Sequence, residues 1–426
     1  MKILYVNNFR GFISTFLPFE EINFFVGENS TGKTSILKLI GILSSPGFWN
    51  YQQFNSEEIS LGSFSEIISS NAEKDFFEIG IFEDEGNGNV MSAIKLTFIE
   101  KDNFPHIKEI CFVNNEINIQ TTIEGKLFKY RFSLVNEPTS IIHEKNWFNK
   151  WVKNPGLNDK KFSRREMEFL GIKSILFQLQ AFINNDLKQE IKFKIGTPSF
   201  ITDIAWTAPA RKPPQKTYDS YTPYFTSDGS HAPYILKDII GYEEVKTILN
   251  KFGQDSGLYD DIEINVLGEQ NKQTDPFEVL IILNGKKVNF FNVGYGVSQV
   301  LPLLIEVIGR PNESWFAIQQ PEVHLHPRAQ AAFGDFIYKS NTVDRQKFII
   351  ETHSDYTIDR YRLKLNKDFR EKKSTSNKGQ VVFFRRHEKG NEIEIMSINK
   401  DGAYPDTQPE DFRDFFIKEQ LDLISI

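Results

Sequence analysis

The octapeptide Gly27-Glu28-Asn29-Ser30-Thr31-Gly32-Lys33-Thr34 restricts the fold of this chain more than any other stretch. It fits G-x-x-x-x-G-K-[ST], a pattern whose chemistry requires a strand before it and a helix after it. Both are legible: apolar Ile22–Val26 predicts a strand, and Lys33–Leu43 predicts a helix. Small residues at Asn29, Ser30, Thr31 and Gly32 let backbone N–H groups curl around a phosphate, and the helix N-terminus adds its positive dipole end. Lys33 supplies a point charge to the β- and γ-phosphates, and Thr34, followed by Ser35, offers a hydroxyl to Mg²⁺. Such a match arises by chance in roughly 1–2% of chains of this length. An α/β core that binds a nucleotide, ATP with Mg²⁺, is the expectation.

The 426 residues allow two or three domains, or one large domain with an insertion. With 40% hydrophobic and 25% charged residues the chain is globular in composition, and 39 phenylalanines provide material for a large core. No apolar run reaches the roughly 18 residues of a membrane span, and no signal-peptide pattern opens the chain. The single cysteine, Cys111, fits a reducing compartment, so a soluble cytoplasmic protein without membrane contact is expected. A net charge of −7 opposes indiscriminate nucleic-acid binding but leaves local basic patches open.

Along the chain, Lys2–Val6 reads as a first strand. From about 75 to 135 the period is two: Phe77, Ile79 and Ile81, a Gly86-Asn87-Gly88 turn, Ile94, Leu96 and Phe98, then Phe128, Tyr130, Phe132 and Leu134. An antiparallel meander follows from that alternation. Residues 141–190 shift to helical spacing, with Trp147 and Trp151 four apart and Ile172, Ile175, Leu176, Leu179 and Ile183 on one face. Pro209-Ala210-Arg211-Lys212-Pro213-Pro214 marks a boundary or a rigid turn. Val300–Ile308 reads as a buried helix, and Trp315–Ile318 and Lys347–Ile350 as strands. The boundaries expected are 1–140 for the P-loop and β lobe, 141–200 for a helical insertion, and 201–426 for the remainder.

Three further segments complete a series. Asn292-Val293-Gly294-Tyr295-Gly296-Val297-Ser298-Gln299 is a glycine-flanked loop opening into a helix. Trp315–Ile318 runs into Gln319-Gln320-Pro321-Glu322-Val323-His324-Leu325-His326-Pro327, and Phe348-Ile349-Ile350 into Glu351-Thr352-His353-Ser354. With Phe9-Arg10-Gly11-Phe12 and the P-loop, this order resembles the ABC-type ATPase heads, and more closely their RecF/SMC/OLD branch. The landmarks span Asn8 to Gly402, with 141–190 apart. The resemblance implies an α/β ABC-type P-loop NTPase head with a mixed sheet, an antiparallel β subdomain and a small helical insertion. It implies that Arg10 reaches the phosphates or the dimer seam. Gly294, Gly296, Ser298 and Gln299 would be the signature region that meets a partner copy's nucleotide, with the serine role open between Gly294 and Ser298. His353 would be the switch histidine, and Leu61–Ile67 stands where a Q-loop belongs.

This sequence departs from the family where hydrolysis happens. Before Pro321, such heads carry an Asp in the Mg²⁺ shell and a Glu that polarises water; here stand Gln319 and Gln320. A neutral amide cannot take up a proton near neutral pH. Relatives with the PExHLHP pattern carry an acidic residue before Gln-Pro-Glu, so Gln319 is the departure, and because of it the chain as written should hydrolyse ATP slowly. Gln319, the expected metal-shell residue beside Thr34, is either an engineered trap for the ATP-bound state or a natural replacement with Glu322 as stand-in. Glu322, His324 and His326 could also form a metal trio on an extended segment, though two or three ligands in one stretch weigh little against a structural role for the two histidines. Ser354 beside His353 makes no hydrolase triad, because neighbours on a strand face opposite ways.

Two basic stretches, 145–165 and 360–373, could track a phosphate backbone or be solvated faces. Trp147 and Trp151 could stack on bases or fill a core. Three functions are therefore weighed. The first is an ATP-driven switch that dimerises and controls a separately encoded nuclease effector, as in Septu- and PARIS-like antiphage systems. The second is a RecF-like ATP-dependent DNA clamp, and the third a metal-dependent hydrolase. The short stretch after His353 leaves little room for a Toprim nuclease domain, and no heptad run predicts a coiled-coil arm.

Overall fold

The computed structural model describes residues 2–70, 75–84, 91–135, 147–168, 171–188, 204–268, 272, 274–373, 377–405 and 412. The Gly86-Asn87-Gly88 turn, Lys145 and parts of the 141–200 stretch lie outside them. In chain order come β1 (Lys2–Asn7), β2 (Thr15–Phe19), β3 (Ile22–Gly27), α1 (Lys33–Ser44), α2 (Pro46–Tyr51) and α3 (Phe64–Ile67). The meander is β4 (Phe76–Asp84), β5 (Met91–Lys101), β6 (Phe104–Asn114), β7 (Ile117–Glu124) and β8 (Leu127–Leu134). Then follow α4 (Trp147–Lys153), β9 (Ser163–Glu166), α5 (Ile172–Leu187), β10 (Ile204–Thr207), α6 (Ala232–Ile239) and α7 (Glu243–Ser256). After β11 (Asp261–Val266), β12 (Phe277–Leu283) and β13 (Lys286–Asn289) come α8 (Tyr295–Gly309), β14 (Trp315–Gln319), α9 (Pro327–Asp344) and β15 (Lys347–Glu351). The last described elements are α10 (Asp355–Arg370) and the hairpin β16 (Gly379–His387) and β17 (Gly390–Ile398).

The chain divides into two compact units. One holds 1–20, 28–204 and 384–393, the other 21–27, 205–383 and 394–426. The first is built on an eight-stranded sheet in the order β2-β1-β4-β5-β6-β7-β8-β9. Its pairs are antiparallel throughout, as the two-residue period requires. The phenylalanine excess is spent here: Phe54, Phe77 and Phe98 sit with ring centroids 5.1–5.7 Å apart, and Phe48 and Phe64 join them. The helical spacing of 141–190 yields α4 and α5, with the five apolar residues of α5 buried. The strand β9 between them is a departure: Ser163–Glu166 adds to the edge of the meander by pairing with β8. Trp151, Phe148 and Val152 pack on Ile3, Tyr5 and Phe82, so α4 closes a core and its tryptophans are not a base-stacking platform. At the start of α5, Gly171 has φ 139°, and a Cβ there would stand 1.9 Å from the Asn50 carbonyl oxygen, so only glycine fits.

The second unit carries a six-stranded sheet in the order β10-β14-β15-β3-β16-β17, with β14, β15 and β3 parallel. These three strands are buried almost throughout, as parallel strands covered on both faces must be. Phe24, Phe316, Ile318, Phe348 and Ile350 share one core with α8 and α9. A second antiparallel sheet, β11-β12-β13, feeds the chain into α8. Strand β15 lies between β14 and the strand that ends in Gly27, and the arrangement is the mixed α/β head expected from the sequence.

Candidate active site

The phosphate loop lies in the first unit. Its residues Glu28, Asn29 and Ser30 are exposed, while Thr31 and Lys33 are buried. Ser30 takes φ 64° and Gly32 φ 93°, left-handed conformations that turn the backbone into a cup. Thr31 Oγ1 donates to the Glu28 carbonyl at 2.8 Å and Lys33 Nζ to the same oxygen at 2.6 Å, which closes the cup. Helix α1 begins at Lys33 with no side-chain cap on its first N–H groups, the geometry an anion binds. Phe12 lies behind the loop: a Cβ at Gly32 would meet its ring at 2.5 Å.

The FRGF turn is fixed from two sides. Asn391 Nδ2 donates to the Arg10 carbonyl (3.0 Å), and the Asn391 N–H donates to that of Gly11 (2.7 Å). Arg10 itself donates from Nη2 to the Leu61 carbonyl (2.7 Å) and from Nη1 to Ser35 Oγ (3.4 Å), beside the first turn of α1. Burial lowers its pKa, opposed by the charge of Glu66. The Leu61–Ile67 stretch is thereby Arg10's support: Ser63 and Glu66 form a capping box on α3, and Glu66 Oε2 accepts from Ser63 N at 2.7 Å. The reading from sequence found Arg10 but gave Asn391 no part.

The strand ends belong to the second unit. Gln319 ends β14 and is buried, and the Gln320 N–H, at φ 43°, donates to the Glu351 carbonyl at 2.8 Å. Glu322 is occupied: one carboxylate oxygen accepts from Thr352 Oγ1 (2.9 Å) and the other from the His353 N–H (2.7 Å). Burial pushes its carboxyl upward, opposed first by the His353 N–H bond. Both oxygens are thereby engaged by residues 352–353, next to the exposed His353 side chain. The metal trio is corrected. Residues 321–324 are a turn, not extended backbone; the ring of His324, at φ 66°, lies tilted against that of Tyr295 (5.2 Å); and His326 caps α9 by accepting from the Ala329 N–H. Among the described residues no group of three or more His, Cys, Asp or Glu could hold a metal ion. Ser354 caps α10 and donates to Gln330 Oε1 at 2.6 Å.

In the glycine loop, Gly294 is the N-cap of α8 and, with Tyr295, is exposed. Ser298 and Gln299, expected to face a second copy, are turned inward. Ser298 Oγ donates to the Tyr295 carbonyl (3.1 Å), and the Gln299 amide accepts from the Arg211 N–H (3.0 Å) and donates to the Arg211 carbonyl (3.3 Å). Position along the helix decides this: Ser298 and Gln299 share Tyr295's face but stand one turn further in, where Arg211 covers Gln299. Arg211 was legible as part of a proline-rich turn but not as a hub. Its guanidinium reaches the Gln319 carbonyl oxygen (3.3 Å), and burial pushes its pKa down to about 10 against the attraction of Glu322.

A glycine cup at a helix N-terminus, a buried lysine and threonine hydroxyls, with a parallel α/β sheet, define the class: a P-loop ATPase fold. The family model for the AAA ATPase domain matches residues 1–358, and the chain belongs to that family. ATPases of this family bind ATP, usually with Mg²⁺. The comparison with curated proteins gives no match. Among solved structures, an SMC head bound to the C-winged helix domain of ScpA is 11% identical with TM-score 0.45, covering 93% of this chain and 98% of its own. The SMC head domain from Thermotoga maritima is 12% identical with TM-score 0.40, over 92% and 98%. The recombination mediator protein RecF is 12% identical with TM-score 0.34, over 92% and 97%. The family assignment rests on the family model and not on these likenesses. No described helix is long and apolar enough to cross a membrane.

Proposed function

We propose that this chain is an ATP-operated switch that pairs with a second copy around bound nucleotide and controls a separately encoded nuclease effector in antiphage defence. One contrast carries the reading: an intact phosphate cradle accompanies strand ends with Gln at both places where hydrolysis needs acids. Lys33, Thr34 and Arg10 would hold ATP, His353 would sense its γ-phosphate, and Gln320 would leave the attacking water without a proton acceptor. Slow hydrolysis gives a long-lived bound state, which is what a switch requires. The effector rests on the resemblance of the motif series to stand-alone heads of Septu- and PARIS-like systems. Exposed Gly294 and half-buried Gly296, at the start of α8, would be the contact offered to the second copy.

Light scattering of the parent chain and of Gly296→Glu, each with and without Mg-ATP, tests this. The parent should double in mass with ATP and the variant should not; a parent mass indifferent to ATP would refute the switch.

A RecF-like DNA clamp is the second reading, favoured by exposed Lys160, Lys161 and Arg164 at the open edge of the meander. The 360–373 stretch is a weaker candidate because acids answer it: Lys364 and Arg360 meet Asp335 (3.3 and 3.7 Å), and Lys373 meets Glu371 (2.6 Å).

A further inference from the structure

We propose that the groove between the start of α7 and the ends of α8 and α9 is a docking site for a lysine carried on an apolar and basic segment of a partner protein. The groove encloses about 350 Å³ and lies wholly within the second unit. α8 closes at Gly309 and α9 at Asp344, shortly before β14 and β15 begin. The groove is therefore at the end of the sheet away from Gln319 and His353, and the proposal is independent of the nucleotide reading above.

The floor is apolar. Ile248 on α7, Ile308 on α8, and Phe336 and Val343 on α9 line it, and Val343 is 59% exposed. Around that floor stand acceptors. Neither Glu244 nor Asp344 has an ion pair with a described residue. Burial, and next the charge of Glu244, push the Asp344 carboxyl up, and Lys339 draws it down without cancelling them. Gln346, 2% exposed, lines the same groove. Its Nε2 donates to the Val307 carbonyl at 2.7 Å, while its side-chain oxygen has no hydrogen-bond partner. A buried acceptor left unpaired costs free energy that a donor from a ligand would recover. The cations at the rim do not meet this demand. Arg310 is held by Glu306 at 2.6 Å, and exposed Lys339 stands beyond ion-pair distance of both acids.

Acceptors above an apolar floor select a cation on an apolar stem. Lysine has both parts: its methylenes cover apolar surface, and its ammonium presents three N–H donors. The acids alone would attract any cation, but the floor adds a requirement for the stem. Exposed Val343 extends that requirement to an apolar neighbour of the lysine, which a partner's chain supplies and a free amine lacks.

Fluorescence anisotropy follows a labelled peptide of alternating leucine and lysine, and its counterpart with norleucine for lysine, titrated with the full chain without ATP. The lysine peptide should bind saturably, and the norleucine peptide at least about tenfold more weakly. Carbodiimide, which joins amines to carboxylates in contact, should couple the peptide's lysine to Glu244 or Asp344, as read by mass spectrometry. Glu244→Gln combined with Asp344→Asn should weaken binding about 10–100-fold through lost charge-assisted hydrogen bonds. Val343→Ser should weaken it a few-fold, and both proteins should melt with the parent. Equal binding of the two peptides, coupling only at other carboxylates, or parent-like affinity in the double variant overturns the proposal. So does self-association that Val343→Ser abolishes, since a second copy would then be the occupant. If the double variant melts early, the peptide comparison and the coupling map decide, because both are made on the parent.

Discussion

The phosphate loop and the strand ends differ in how their chemistry is distributed along the chain. Residues 27–35 are contiguous, and their work is done by backbone N–H groups and one lysine, so the motif either stands or fails as a block. The strand ends draw on 211, 299, 319–322 and 351–354, segments joined by sheet register and by hydrogen bonds such as those from Thr352 and His353 to Glu322. In such a site one role can move to a neighbouring strand, because adjacent strand ends present side chains a few ångströms apart. A degenerate motif is therefore weaker evidence of lost function here than it would be in the loop.

The comparison can be broken most decisively through hydrolysis. Gln320→Glu should raise single-turnover ATP cleavage about 10²–10⁴-fold, since it restores a proton acceptor, and phosphate-release assays check this. Turnover by the parent already as fast as that of the variant would show that the strand ends need no acid at 320. Next in size, Lys33→Ala should weaken ATP binding about 10–100-fold in calorimetry, the loss of a charge-assisted phosphate contact worth ~1.5–3 kcal/mol. Gln319→Ala should leave that affinity nearly unchanged. Equal losses in both variants would erase the distinction between block and distributed site.

Glu322→Gln should slow hydrolysis about tenfold and speed amide exchange at 352–354, with ATP affinity unaltered, because an amide accepts only one of the two bonds the carboxylate now receives. Unchanged exchange would mean that the switch segment is held elsewhere. The smallest effect is reserved for the exposed edge of the meander. Lys160, Lys161 and Arg164 replaced by Glu should abolish any ATP-dependent DNA binding, while stability stays within about 0.5 kcal/mol. DNA binding equal to the parent's at matched salt would leave those residues as a solvated face and favour a protein partner.

What could be read from the chain follows from range. The P-loop, the alternation of Phe77, Ile79 and Ile81, and the apolar run of α8 are local patterns, and local sterics and periodicity suffice to place them. Local sequence also announced α4, through Trp147 and Trp151, but not which surface it covers. The glycine loop and start of α8 show the boundary clearly: the pattern was visible as Gly294-x-Gly296-x-Ser298-Gln299, yet Ser298 and Gln299 are buried one turn into the helix, and Arg211, distant in sequence, engaged Gln299. The same holds for the acids. Sequence alone determined that 319 and 320 are neutral and that Glu322 is the carboxylate that follows them. Tertiary structure decided the rest: a hydrogen bond across 31 positions ties Glu322 to the His353 N–H, and parallel register sets Glu351 beside Gln319. Register and long-range hydrogen bonds depend on how strands are ordered in a sheet, and no local propensity encodes that order.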